Sequence, residues 1–184
     1  MISYNKAKSL IQINVKKSKK TEFVDLFQSN KRILSENIKS KVDQPRLDLS
    51  AMDGMVIFER DYCRDKFRLI GESKAGDKFS NDFKTGEAKL IFTGAPVPGT
   101  KKIIIPKENF TVDENKKEIK INKKINQNFI RKKGIDFKKN QECLFKNAVM
   151  NLRSMALAKS MKVKRLNVKK KPEIYLIVTG DELI

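Results

Sequence analysis

Apolar residues recur at helical spacing near both ends of this 184-residue chain and at strand-like spacing through its middle. In residues 4–13, Ala7, Leu10 and Ile11 share one helical face and Ser3 stands where an N-cap would, which predicts a short amphipathic helix. Beyond the basic residues 16–20, Thr21 is placed to cap a second helix carrying Phe23, Val24, Leu26 and Phe27. Residues 32–38 then read as extended up to Asp43-Gln44-Pro45, where proline pushes the residue before it out of helical geometry.

The pattern changes after Gly54. Residues 55–58 and 67–70 are short β-prone runs between polar turns, and residues 102–105 are β-branched. Residues 86–92 fit a helix or a strand, and residues 110–121 have the form of a hairpin turning at Asp113-Glu114-Asn115. Helical spacing returns with Leu152, Met155, Ala156 and Ala158, followed by a basic strand over residues 163–168. A β-rich module inserted between two halves of a helix-containing domain, with boundaries near Leu47 and Asp136, is the simplest organisation. Finally Ile-Tyr-Leu-Ile-Val within residues 173–179 leads into Gly180-Asp181-Glu182, as the first strand of an open α/β sheet would. One strand does not make a sheet, so the chain reads as stopping inside its next domain.

Composition narrows the function classes. With 39% hydrophobic residues and 11 Phe, the chain has enough apolar surface to fold. Its formal charge of +19 concentrates phosphorylated metabolites, oxyanions or polyanions near the surface without choosing among them. A nucleic-acid-binding role, motivated by the acid-free run 162–171, has no recognition motif to support it. Cys63 and Cys143, with no histidine anywhere, argue against a zinc site and predict two buried free thiols in a reducing compartment. Neither a signal peptide nor a membrane-length apolar run is legible, so a cytoplasmic protein without membrane partners is expected.

Four segments carry candidate chemistry. In Asp48-Leu49-Ser50-Ala51-Met52-Asp53-Gly54, the glycine would permit a sharp turn that presents the Asp53 carboxylate. In Phe92-Thr93-Gly94-Ala95-Pro96-Val97-Pro98-Gly99, backbone amides and the Thr93 hydroxyl could align on an oxyanion, though the lysine spacing of a nucleotide-binding P-loop is absent. The segment Asn128 to Asp136 offers Arg131, whose fork suits phosphate, and Asp136 as its partner or a metal ligand. Thr179-Gly180-Asp181-Glu182-Leu183 places two carboxylates after a strand, suited to hydrated magnesium or to proton transfer. Each has a bland counterpart: a capping turn, a structural loop, a solvated basic strand and an acidic turn.

Taken in order, Ser-Ala-Met-Asp-Gly, Gly-Glu-Ser-x-Ala-Gly, Thr-Gly-Ala-Pro-x-Pro and Thr-Gly-Asp-Glu-Leu resemble the molybdopterin molybdenumtransferases, known as MoeA in bacteria and as the E domain of gephyrin. The resemblance implies an α+β chain. An elongated dimerisation domain would comprise residues 1–46 and 137–171, a β-rich, barrel-like domain would span 47–136, and residues 172–184 would open a truncated α/β molybdopterin-binding domain. It further implies insertion of molybdenum from molybdate into adenylylated molybdopterin with release of AMP, assisted by Mg2+. By motif match, Asp53, Asp136 and Glu182 would be catalytic. Thr93, Gly94, Arg131, Asp181 and Ser50 would bind substrate, with Asp181 and Glu182 as the magnesium candidates. A homodimer is implied, with the molybdopterin adenylyltransferase as a further partner, and the fragment alone is expected to be inactive. Departures stand at Met55, where the family commonly has an aromatic residue, and at Lys101 and Lys102, where it has alanine and an acid. They leave room for a diverged pterin-binding or scaffold paralogue.

Overall fold

The computed structural model describes residues 2–15, 19–78 and 84–177. In chain order its helices and strands are α1 (Tyr4–Asn14), β1 (Thr21–Asp25), β2 (Ile38–Lys39), β3 (Leu49–Ser50), β4 (Gly54–Phe58), β5 (Lys66–Ser73), β6 (Glu87–Ile91), β7 (Lys102–Pro106), β8 (Phe110–Asp113), β9 (Glu118–Ile121), β10 (Ile130–Arg131), β11 (Glu142–Leu144), α2 (Leu152–Ser160) and β12 (Arg165–Lys169). These fall into two compact units, Met1–Lys39 with Glu142–Ile184, and Ser40–Gln141. The fold is α+β.

In the discontinuous unit, Ser3 caps α1 as expected, its hydroxyl accepting the Lys6 amide at 3.4 Å, yet no residue of that helix is buried. The helix expected after Thr21 is instead strand β1 followed by one 3-10 turn, Leu26–Gln28. Spacing of Phe23, Val24, Leu26 and Phe27 suited either element. The antiparallel ladder of β1 with β12, from Thr21↔Lys169 to Asp25↔Arg165, decides it by satisfying the backbone that a helix would have satisfied internally. Val24, Leu34, Leu166 and Val168 are buried beside this ladder, whereas Phe23 and Phe27 stay exposed. At α2, Asn151 accepts the Ser154 amide and Ser154 returns a bond from the Asn151 amide, forming a reciprocal cap.

Two further expectations are corrected in this unit and its partner. Ile174 to Ile177 form no strand and are all more than 80% exposed, because an apolar run becomes a strand only against a ladder partner and none reaches it among the described residues. The remainder of that run, with Thr179, Gly180, Asp181 and Glu182, lies outside the described residues. The cysteines are not buried thiols: Cys63 is exposed just beyond the 3-10 turn Glu59–Asp61, and Cys143 is half-buried, where desolvation raises its pKa.

The second unit is built on a six-stranded, curled, half-barrel-like sheet of order β7-β4-β6-β5-β9-β8. Only the β5–β6 pair is parallel. Residues 86–92 resolve as strand β6, and the expected hairpin is β8–β9. Side chains alternate across β4, so both of its faces are buried. Met55 and Ile57 pack with Phe67, Ala88, Ile105 and Ile119 on one face, and Val56 with Ile91, Ala95, Val97 and Ile104 on the other. No helix among the described residues is long and apolar enough to cross a membrane.

Candidate functional site

Strand β3 is only two residues long, but three of the four sequence motifs meet on it. Along one edge, the Leu49↔Pro96 bridge and the bonds from the Ser50 amide to Ala95 O, from the Gly94 amide to Ser50 O and from the Val97 amide to Asp48 O, each 2.9 Å, bring in the Thr93 loop. Along the other edge β10 pairs antiparallel, with Ile130 opposite Ser50 and Arg131 opposite Leu49. Segments some 40 residues apart on either side are thereby fixed to one short strand.

Asp53 lies three residues past that strand, immediately before β4. Its Oδ1 accepts both the Thr93 amide and the Thr93 hydroxyl, each at 2.8 Å. Those two bonds, with the positive charge of Lys107, hold the Asp53 carboxyl below its ordinary value of 3.8. The donors expected to receive a ligand's oxyanion are therefore engaged with the chain's own carboxylate. Gly94 supplies the turn that makes this possible, at φ 83, a backbone conformation costly for any residue with a Cβ.

Gly54 works differently from its sequence reading. It does not make a positive-φ turn but lies within β4, where a Cβ would stand 2.1 Å from the Ile105 carbonyl oxygen. The glycine is needed because β7 passes so close. Ser50 is buried, and its hydroxyl donates to Met52 O at 2.6 Å, shaping the bend that delivers Asp53.

On the β10 side, one Arg131 nitrogen donates to both oxygens of Asp136 at 2.6 Å, a pair that raises the Arg131 pKa. Between these two residues the loop is tied to acids that sequence reading gave no role. Asp48 accepts the Lys133 amide at 2.7 Å and the Lys132 ammonium at 2.9 Å; Asp43 accepts the Lys139 amide at 2.8 Å and lies 3.4 Å from the Lys133 ammonium. Hydrogen bonds from the Lys139 amide and Lys133 lower the Asp43 pKa. Partial burial opposes the shift at Asp48, yet the bonds and charges of Lys132 and Lys133 still lower it. Asp48 lies 84 residues before Lys132 and Asp43 96 before Lys139, so no local signal in the sequence links these acids to the loop.

The departures from the family pattern have structural homes. Met55 is fully buried in the sheet core. Lys102 is 4% exposed with its ammonium 3.0 Å from the Phe58 ring centre; desolvation and the Arg60 charge bring its pKa down to about 8. A cavity of about 730 Å³ at β5 and the β8–β9 turn is lined by none of Asp53, Thr93, Arg131 and Asp136. No group of three or more His, Cys, Asp or Glu that could hold a metal ion is found among the described residues, and Asp136 already gives both oxygens to Arg131.

The chain as a whole is similar to known proteins. The profile of the family described as the MoeA N-terminal region (domain I and II) fits residues 2–161. The chain belongs to the MoeA family. It is 29% identical over 187 residues to the molybdopterin molybdenumtransferase of Haemophilus influenzae, covering 100% of this chain and 46% of that one. To the Nostoc sp. molybdopterin molybdenumtransferase it is 28% identical over 170 residues, covering 89% and 39%. The solved MoeA protein of Pyrococcus horikoshii OT3 superposes with a TM-score of 0.78 at 26% identity, covering 94% of this chain and 47% of that one. This MoeA-family chain thus spans less than half the length of these relatives.

Proposed function

We propose that this chain supplies the N-terminal part of a molybdopterin molybdenumtransferase, acting in molybdenum cofactor biosynthesis by inserting molybdenum from molybdate into adenylylated molybdopterin with release of AMP. The observation that carries the reading is the convergence of the Asp53, Thr93 and Arg131–Asp136 motifs on β3. The relatives are named molybdopterin molybdenumtransferases, and the motif resemblance supplies the adenylylated substrate and the release of AMP.

The reaction sets physical requirements that these residues suit. When a pterin dithiol takes up molybdate, one oxygen of the oxyanion leaves as water and the two thiol protons account for its hydrogens. A group that accepts a proton from sulfur and returns it to oxygen must be ionised at neutral pH. Asp53, lowered from 3.8 by Thr93, meets that condition, although the same bonds make it a weaker base; its place beside the Thr93 loop, and not a tuned pKa, supports this role. Thr93 and Gly94 shape the loop beside the incoming oxyanion. Arg131 compensates phosphate charge while Asp136 orients its guanidinium. Ser50 acts through the bend it closes. Asp181 and Glu182 are assigned as the magnesium-side carboxylates, Glu182 with a catalytic role, by motif match alone.

On this reading residues 1–46 and 137–171 form the dimerisation domain, residues 47–136 the inserted β-rich domain, and residues 172–184 begin a molybdopterin-binding domain. The working site is completed by a second copy and by segments beyond these residues, so the 184-residue piece alone is inactive. The reading also includes a cytoplasmic location and exchange with the adenylyltransferase that supplies the adenylylated pterin.

The test is Asp53→Asn in the full-length protein, followed by the molybdenum bound per molybdopterin after incubation with molybdopterin-AMP and molybdate. Loss of insertion with AMP-side binding retained is expected. Turnover equal to that of the parent would overturn the role given to this site.

A further inference from the structure

Asp48 is bonded on both sides of the junction, through its backbone on one and its side chain on the other. Its carbonyl accepts the Val97 amide at 2.9 Å, holding the Thr93 loop. Its carboxylate reaches the opposite way, Oδ1 to the Lys133 amide at 2.7 Å and Oδ2 to the Lys132 ammonium at 2.9 Å. The carboxylate is 30% exposed, so solvent screens it only in part.

The position of the capped amide matters. Lys132 and Lys133 lie between Arg131 and Asp136, which close their own ion pair across five residues. Just after them the chain reverses at Gly134, φ 73, whose amide donates to Pro45 O at 2.9 Å, and the Asp136 amide donates to Gln44 O at 3.0 Å. Arg131, Lys132 and Lys133 are three adjacent cations leading into a turn that the Ile135 amide closes by donating to Lys132 O at 3.1 Å. Without an acceptor at Lys133, that turn loses its bond at the apex and brings three like charges together with less compensation.

We propose that Asp48 is a positioning residue, setting the loop that carries Arg131 and Asp136 in register with the Asp53–Thr93 pair on the other edge of β3. The inference rests on the role given to those four residues under the proposed function. Asp48 touches no substrate; it acts through the Lys133 amide.

Asp48→Ala and Asp48→Asn in the full-length protein separate this role from a general contribution to folding. Asparagine keeps an oxygen for the Lys133 amide and loses only the charge pair with Lys132. Two readouts are needed: hydrogen exchange of the 131–136 amides, and kcat and KM for molybdenum insertion. Asp48→Ala should raise exchange at Lys133 and its neighbours by about tenfold, the loss of one charge-assisted bond. It should lower kcat by about tenfold, while protection of the Thr93 amide stays at the parent level. Asp48→Asn should restore both to within about threefold.

Unchanged exchange over 131–136 in Asp48→Ala overturns the proposal, and so does raised exchange with unaltered kcat and KM. Should Asp53→Asn and Asp136→Asn also insert molybdenum normally, the failure is that of the proposed site chemistry, and the exchange data alone then decide whether Asp48 holds the loop. If Asp48→Ala does not fold, the Asn variant decides: loop exchange and kcat near the parent support the cap, and loss of both refutes it.

Discussion

Replacing Gly54 by alanine should damage this fold more than any property of residue 54 considered alone would suggest. The added Cβ would lie 2.1 Å from the Ile105 carbonyl oxygen, 2.9 Å from its carbon and 3.1 Å from the Pro106 Cα. All three are backbone atoms, so no side chain can swing aside. Since real Cβ contacts essentially never fall under 3.0 Å, β7 would have to retreat by about 0.9 Å (3.0 − 2.1) along its ladder with β4. Overpacking of this kind costs ~1–3 kcal/mol, and stretching a ladder hydrogen bond or two adds about 1 kcal/mol. A total of ~3 kcal/mol in a unit of roughly 100 residues lowers Tm by ~12–24 °C. Urea melts followed by far-UV circular dichroism give the value directly, a suitable probe because the chain has no Trp. Gly76→Ala is the internal comparison: its φ of 93 carries the conformational penalty, but nothing stands within 4 Å of the new Cβ, so about 1 kcal/mol is expected. A Gly54→Ala change smaller than about 0.5 kcal/mol, or equal to that of Gly76→Ala, would refute the close-approach argument. The site would also feel the shift, because the Lys107 amide at the end of β7 donates to Asp53 O at 3.1 Å.

Acid should loosen the same unit through its carboxylates. The pKa values of Asp43, Asp48 and Asp53 are all lowered from 3.8 in the folded state, so their stabilisation is complete above 3.8 and disappears as pH falls through the lower folded values; a Tm that is level below 3.8 in the parent, or unaltered there by Asp43→Asn, would contradict this. Lys102 works in the opposite range. With its folded pKa lowered to about 8 against 10.5, the unfolded chain holds more protons between those values, so this residue makes stability rise from pH 8 to 10.5, and Lys102→Met should flatten that rise in a Tm series. In the other unit, Asn151→Ala removes the reciprocal cap of α2 and should cost ~1 kcal/mol in a urea melt; a change below about 0.3 kcal/mol would show the cap to be incidental.

How far the sequence could be read follows from how local each feature is. Helices α1 and α2 and the strands of the large sheet other than β6, whose residues fitted a helix equally well, were legible because their periodicity and caps lie within a dozen residues. Ser3 and the β8–β9 hairpin are examples. Strand β1 was misread because Phe23, Val24, Leu26 and Phe27 fit a helical face as well as a ladder, and only β12, some 140 residues later, decides between them. Gly54 is similar. Its neighbours suggested a turn, whereas its true constraint is the carbonyl of Ile105, invisible without the β4–β7 register.

The site shows the same division more sharply. Asp53, Thr93, Arg131 and Asp136 could each be nominated from short motifs, but their relations depend on strands β3 and β10, two residues apiece, which have no periodicity of their own. Such strands exist only because a partner exists. It follows that residues to which the motifs assign no role, Asp48 above all, can matter as much as those with one. A carboxylate that ties two loops to one strand leaves no local trace when its lysine partner lies 84 residues away. The sequence motif therefore marks where chemistry is offered, and the charge balance around it marks what holds that chemistry in place. For this chain the second signal lay in three adjacent cations, Arg131, Lys132 and Lys133, each of which the fold pairs with its own acid: Asp136, Asp48 and Asp43.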